Sequence, residues 1–193
     1  MRLADGRIRK LRTSCKQSGC AHELTFSCYN GKPLLADDRS REFMVDALAR
    51  ARQTHDFELW AYVIMPEHAH VLLLPRRADY RIAAILKSIK RSVARRAMRQ
   101  LRASAPNALE AFRVMRPSGR VEFRFWQQGG GYDRNLINTD AAWAAVEYIH
   151  LNPVRRGLAD APADWRWSSA RWYDGSTDVV LSMDGCPPTE RVR

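Results

Sequence analysis

Two histidines separated by one small residue, His68-Ala69-His70, open the most apolar run of the chain, HAHVLLLP. Side chains alternate faces along a strand, so His68 and His70 project together from one side. A pair of neutral imidazoles on one face suits a divalent ion and leaves most of its coordination sphere open for a carboxamide, water and a substrate oxygen. The same pair buried without any partner would cost free energy, which strengthens the case for a bound cation beside the plainer reading of a chance spacing.

The segment that positions them is Trp60 to Pro75, WAYVIMPEHAHVLLLP, where two apolar runs flank a Pro66-Glu67 turn. It reads as a β-hairpin with strands over 57–65 and 68–74. Upstream, HELTFSCY (His22 to Tyr29) alternates and forms a first strand; Asn30-Gly31 and Pro33 end it. Asp37 or Asp38 caps a helix running to about Thr54. After the hairpin comes a long helix over about Tyr80 to Arg102. Its Ile82, Leu86, Ile89 and Val93 share one face, and Arg91, Arg95, Arg99 and Arg102 fall on the other. Pro106, Pro117 and Gly119 mark a loop with a short helical piece near Leu109 to Phe112. VEFRFW (Val121 to Trp126) alternates and reads as the fourth strand. Gly129-Gly130-Gly131 then precedes Tyr132, and a helix capped by Thr139 or Asp140 runs through about His150, stopped by Pro153.

This order predicts an α+β fold: a ferredoxin-like antiparallel sheet (βαββαβ) with helices packed on it. The expected organisation is a basic flexible arm over 1–20, one domain over 21–173 and a loose polar tail over 174–193.

With 193 residues and 46% hydrophobic content, the chain buries a core without disulfide staples. Its four cysteines form no Cys-x-x-Cys pair, so neither a structural zinc site nor a redox pair is indicated. No run approaches the ~20 apolar residues of a membrane span, and no signal-peptide core is present, so a soluble cytoplasmic protein is expected. The formal charge is +11, and it is concentrated: Arg76 to Arg102 holds ten Lys or Arg against Asp79, a net +9. Such a field points to a nucleic acid ahead of a membrane surface. Lys87, Lys90, Arg91, Arg95 and Arg99 are the candidate phosphate contacts, and Trp126, with Trp165 and Trp167, is a candidate platform for unpaired bases.

Three segments, YVIMPEHAH (62–70), FWQQGGGYDRNL (125–136) and YIHLNPVRRGL (148–158), followed by DWRWSSARWY (164–173), together resemble the REP-associated tyrosine transposases, the single-strand transposase branch of the HUH nuclease superfamily. The resemblance implies a protein that binds hairpin single-stranded DNA, then cleaves and rejoins it through a 5′-phosphotyrosine with Mg²⁺ or Mn²⁺. It places the metal on His68 and His70, and the nucleophile on Tyr132, associated with a tyrosine-bearing C-terminal helix. In relatives a polar residue about one turn after the tyrosine completes the metal site. Here that position is Leu136, so Asn135 stands in, with Asp133 and Asn138 behind it. The three glycines give Tyr132 freedom to swing into the site. Asn152, before Pro153, is read as closing its helix. The alternative reading is a decayed or domesticated binder of hairpin DNA or RNA that does not cut. Assembly stays open between a monomer and a homodimer.

Overall fold

The computed structural model describes residues 20–188, so the basic arm over 1–19 lies outside the described residues. The architecture is mixed helix and antiparallel sheet, as the alternating periods require. Strand β1 (Ala21–Ser27) is followed by helix α1 (Asp38–His55), strands β2 (Phe57–Ile64) and β3 (His68–Pro75) and helix α2 (Ile82–Ser104). A short hairpin of β4 (Arg113–Met115) and β5 (Val121–Phe123) comes next. Strand β6 (Tyr132–Leu136), helix α3 (Thr139–Arg155) and a single turn, α4 (Ala170–Tyr173), complete the order.

The main sheet runs β2-β3-β1-β6 with every neighbour antiparallel. Its fourth strand is therefore Tyr132–Leu136 and not Val121–Trp126: residues 121–123 pair only with 113–115, and Trp126 contributes one isolated bridge to Cys28. Strand β6 lacks the apolar pattern of a core strand because it is an edge. It is held instead by polar pairs on both faces, His22 to Asp133 at 2.8 Å on one and Glu23 to Arg134 at 2.7 Å on the other.

Each face of the sheet carries its own core. On one, Leu24, Phe26, Val71 and Leu73 pack under α1 and α2; on the other, Ala61, Val63, Leu72 and Leu136 pack under α3 through Ala142, Ala145, Val146 and Ile149. Helix α1 starts at Asp37, whose carboxylate accepts from the Ser40 N–H. Helix α3 starts at Asn138, which accepts from Ala141, and it runs past Pro153 to Arg155, so the proline sits inside the last turn and does not end the helix earlier.

The described part of the segment after 174, to residue 188, is packed and not loose. Leu181 and Met183 are buried in the core, and the Asp184 carboxylate accepts from the Leu59 N–H at 3.0 Å and from Arg52 at 3.3 Å, closing the outer edge of β2. No helix among the described residues is long and apolar enough to cross a membrane.

Candidate active site

The register of the sheet decides which side chains meet. Directly paired residues share a face, so Val63, His70, Thr25 and Tyr132 form one row across all four strands, with His68 and Ser27 in the next row on the same side. This is the face that α3 covers.

The two imidazoles converge as the His-x-His spacing predicts: their Nε2 atoms stand 3.1 Å apart, and the rings meet edge to face at 4.9 Å. Each Nδ1 has its own partner. His68 Nδ1 lies 3.1 Å from a carboxylate oxygen of Glu67, and His70 Nδ1 lies 2.8 Å from the Thr25 hydroxyl. A carboxylate only accepts, so His68 carries its proton on Nδ1 and presents a bare Nε2 lone pair. Thr25 can donate or accept. With the hydroxyl donating, His70 keeps its proton on Nε2 and bonds to His68; with the hydroxyl accepting, both Nε2 lone pairs face one point in space. Burial, then the neighbouring His68 charge, pushes the His70 pKa down to about 3, and burial lowers His68 against the opposing pull of Glu67. Both rings are neutral at physiological pH, the state a metal requires. At their 3.1 Å separation both Nε2 atoms would be able to hold one divalent ion.

Among the described residues no group of three or more His, Cys, Asp or Glu gathers in one place. Asn135 does not reach the pair either. Strand alternation sets it opposite His22, on the α1/α2 face, so the stand-in for the third ligand is on the wrong side of the sheet. Asp133 shares that face, where it holds His22 Nδ1 while His22 Nε2 meets the Tyr80 hydroxyl at 2.8 Å.

The tyrosine that touches the pair is Tyr148 on α3. Its ring stands edge-on to His70 with centroids 5.4 Å apart and planes at 87°, it is 42% exposed, and the Arg155 guanidinium lies over it at 5.2 Å. One helical turn later is Asn152, buried, its amide nitrogen donating to the Tyr148 carbonyl oxygen at 2.7 Å. Residues four apart share a helix face, so Asn152 lies on the same side of α3 as Tyr148. Asn152 does not end the helix, which runs on to Arg155; its amide nitrogen is spent on a carbonyl one turn back. Tyr132 stands on an edge strand, not a helix. It is on the same face as His70 but two strands away, about 10 Å between backbones. Tyr148 and Asn152 have the tyrosine-plus-four spacing that the resemblance implies, which Tyr132 with Leu136 lacks.

The glycine segment is latched. Gly131, at φ +75°, lies against the Thr25 backbone with no room for a Cβ, and the Lys90 ammonium donates to the Gln127 and Gly129 carbonyl oxygens at 3.2 and 3.0 Å. Lys90 is therefore committed to this loop and not to phosphates. Trp126 is likewise no stacking platform: it is buried, and its indole N–H donates to the Lys90 carbonyl at 2.8 Å. Trp167 is buried as well, and the Trp165 indole N–H donates to the Ile64 carbonyl. Lys87, Arg91, Arg95 and Arg99 are exposed along the outward side of α2 and have no ion-pair partner among the described residues; they lie across the sheet from the histidines.

The site is thus a pair of neutral imidazoles on one face of a four-stranded antiparallel sheet, under a helix-borne tyrosine. Comparison with known proteins narrows the class. No family model matches the chain. A REP-associated tyrosine transposase of Haemophilus influenzae is 26% identical over 143 residues, covering 70% of this chain and 76% of that protein. Its counterpart in Escherichia coli K12 is 24% identical over 123 residues, 64% of this chain and 60% of that one. The solved structure of a REP-associated tyrosine transposase bound to a REP hairpin superposes with a TM-score of 0.61 at 19% identity, over 91% of this chain and 93% of the other, which shows a shared fold. The chain is similar to the REP-associated tyrosine transposases over most of its length, and the likeness seen in its motifs is a likeness of whole domains.

Proposed function

We propose that this protein cuts and rejoins single-stranded DNA beside a hairpin, with Tyr148 as nucleophile and His68, His70 and the Asn152 carboxamide holding Mg²⁺ or Mn²⁺. The observation that carries the reading is the meeting of Tyr148 with His70, with Asn152 one turn away. With the Thr25 hydroxyl accepting from His70 Nδ1, the two Nε2 lone pairs and the carboxamide oxygen of Asn152 would make a neutral, open donor set fit for a hard cation that keeps several waters. When bound, the ion orients a phosphate oxygen and offsets charge that develops on the phosphoryl group.

The chain's own residues do the rest. The Tyr148 phenolic oxygen, exposed at the rim, attacks phosphorus; the bond to the 3′ oxygen breaks, and the proton lost by the phenol matches the one gained by the leaving 3′ hydroxyl. Arg155, over the ring, faces the negative phosphate. Glu67 and Thr25 fix the imidazoles, and Arg156 in turn binds Glu67. A phosphotyrosine diester resembles the bond broken, so a new 3′ hydroxyl reverses the step and joins strands. Lys87, Arg91, Arg95 and Arg99 hold phosphates away from the cut without reading sequence.

The test incubates the protein with end-labelled single-stranded hairpin DNA and Mn²⁺, then follows label that stays with protein under denaturing conditions. The account expects an adduct that disappears in Tyr148→Phe and in His70→Ala while DNA binding persists. A DNA shift with no adduct from the natural sequence would instead mark a binder that does not cut.

A further inference from the structure

The β4–β5 hairpin stands outside the main sheet and has no part in the site. It is rooted firmly: the Arg124 N–H donates to the Phe112 carbonyl at 2.8 Å, the Tyr29 N–H donates to the Phe125 carbonyl at 2.9 Å, and Phe112 and Phe125 are both buried. Its tip, residues 116–120, is a tight turn with Gly119 at φ +75°. Cross-strand pairing divides the side chains. Arg113 opposite Phe123 and Met115 opposite Val121 share one face, and Val114 opposite Glu122 looks the other way.

The two faces differ in chemistry. On the Glu122 side, Arg116 and Arg124 both bond that carboxylate, so charge is satisfied internally. On the other, Met115 is 66% exposed and Val121 36%, a directly opposed apolar pair near the tip. Arg102 of α2 lies over Phe123 at the base, 5.9 Å from the ring, so this face continues the basic side of α2. Residues 113–124 carry four arginines against one glutamate, a net +3, and Arg120 in the turn has no ion-pair partner among the described residues.

The geometry points to a β-ribbon that enters the major groove of duplex DNA, the paired stem of the hairpin substrate, with Met115 and Val121 against base edges and Arg120 on a flanking phosphate. This rests on the hairpin-binding reading above. The major groove, about 12 Å wide, admits a two-stranded ribbon as well as a helix, and apolar side chains there meet thymine methyl groups. A protein partner would want a broader apolar surface and fewer cations than this narrow arm offers. The neighbouring α2 cations lead to the same backbone.

Affinities are measured for a fluorescent DNA hairpin and for an unpaired oligonucleotide of equal length, using the natural sequence, Met115→Glu, Val121→Asp and Arg120→Gln, each with thermal unfolding recorded. Either acidic variant is expected to weaken hairpin binding at least tenfold with its unpaired-strand affinity within twofold. Arg120→Gln is expected to lower the slope of log affinity against log salt by about 0.9. Normal hairpin binding by folded Met115→Glu and Val121→Asp overturns the ribbon and leaves the cutting site intact. Failure of the natural sequence to bind the hairpin overturns both.

Discussion

Acid should destabilise the metal-free protein steeply between pH 7.5 and 5. His70 and His150 are buried, and burial holds their pKa values at about 3 and about 4. An unfolded histidine titrates near 6.5, so as pH falls the unfolded chain takes up protons that the fold refuses, and stability is lost. By that linkage each of the two costs about 2 kcal/mol at pH 5 relative to pH 7.5, about 4 kcal/mol together, a large part of the ~5–15 kcal/mol typical of a domain. His68 is lowered too and adds in the same direction. Glu23, raised by burial, works the opposite way and offsets part of the loss at the acid end. The assay is urea unfolding followed by tryptophan fluorescence in EDTA at pH 7.5, 6 and 5. His150→Gln, which also removes a bond of 2.9 Å to the Ser169 hydroxyl, should start less stable and lose about 2 kcal/mol less over the same range. A stability that stays flat or rises toward pH 5 would refute the neutral, desolvated imidazoles on which the metal site depends.

Three further outcomes follow from the packing. Gly131→Ala forces a methyl group into the Thr25 carbonyl oxygen at a left-handed backbone position, and thermal or urea unfolding should register a loss of about 2–4 kcal/mol. Lys90→Met frees the Gln127 and Gly129 carbonyls, so amide hydrogen exchange over 127–131 should quicken while affinity for DNA changes less than about threefold, since the ammonium is already engaged. Asp184→Ala leaves the Leu59 N–H unpaired, costing about 1–3 kcal/mol, and limited proteolysis should then cut sooner after residue 174.

The parts of this fold that can be read from sequence are those whose signal is local. The β2–β3 hairpin announces itself through two apolar runs around Pro66-Glu67, and period-two alternation is enough to put His68 and His70 on one face. Strand β6 has no such signal: it pairs on one side only, and its partners His22 and Glu23 lie more than a hundred residues earlier. VEF alternates like a core strand, yet it belongs to a projecting ribbon, because alternation reports a pleat and not which sheet owns it. The same non-locality hides which tyrosine meets the histidines. Tyr132 follows a conspicuous glycine run, whereas Tyr148, whose ring meets His70, sits among the apolar residues of α3, where no local signal marks it. Trp126 and Lys90 were plausible DNA contacts by type, and only packing shows them bonded to each other and to the loop.

The most direct measurement identifies the residue that carries DNA. The adduct formed with hairpin DNA and Mn²⁺ is digested with protease and nuclease, and the nucleotide-bearing peptide is located by mass spectrometry. The account predicts the nucleotide on Tyr148, with the adduct unchanged in Tyr132→Phe. A nucleotide on Tyr132, or an adduct that survives in Tyr148→Phe, would contradict it.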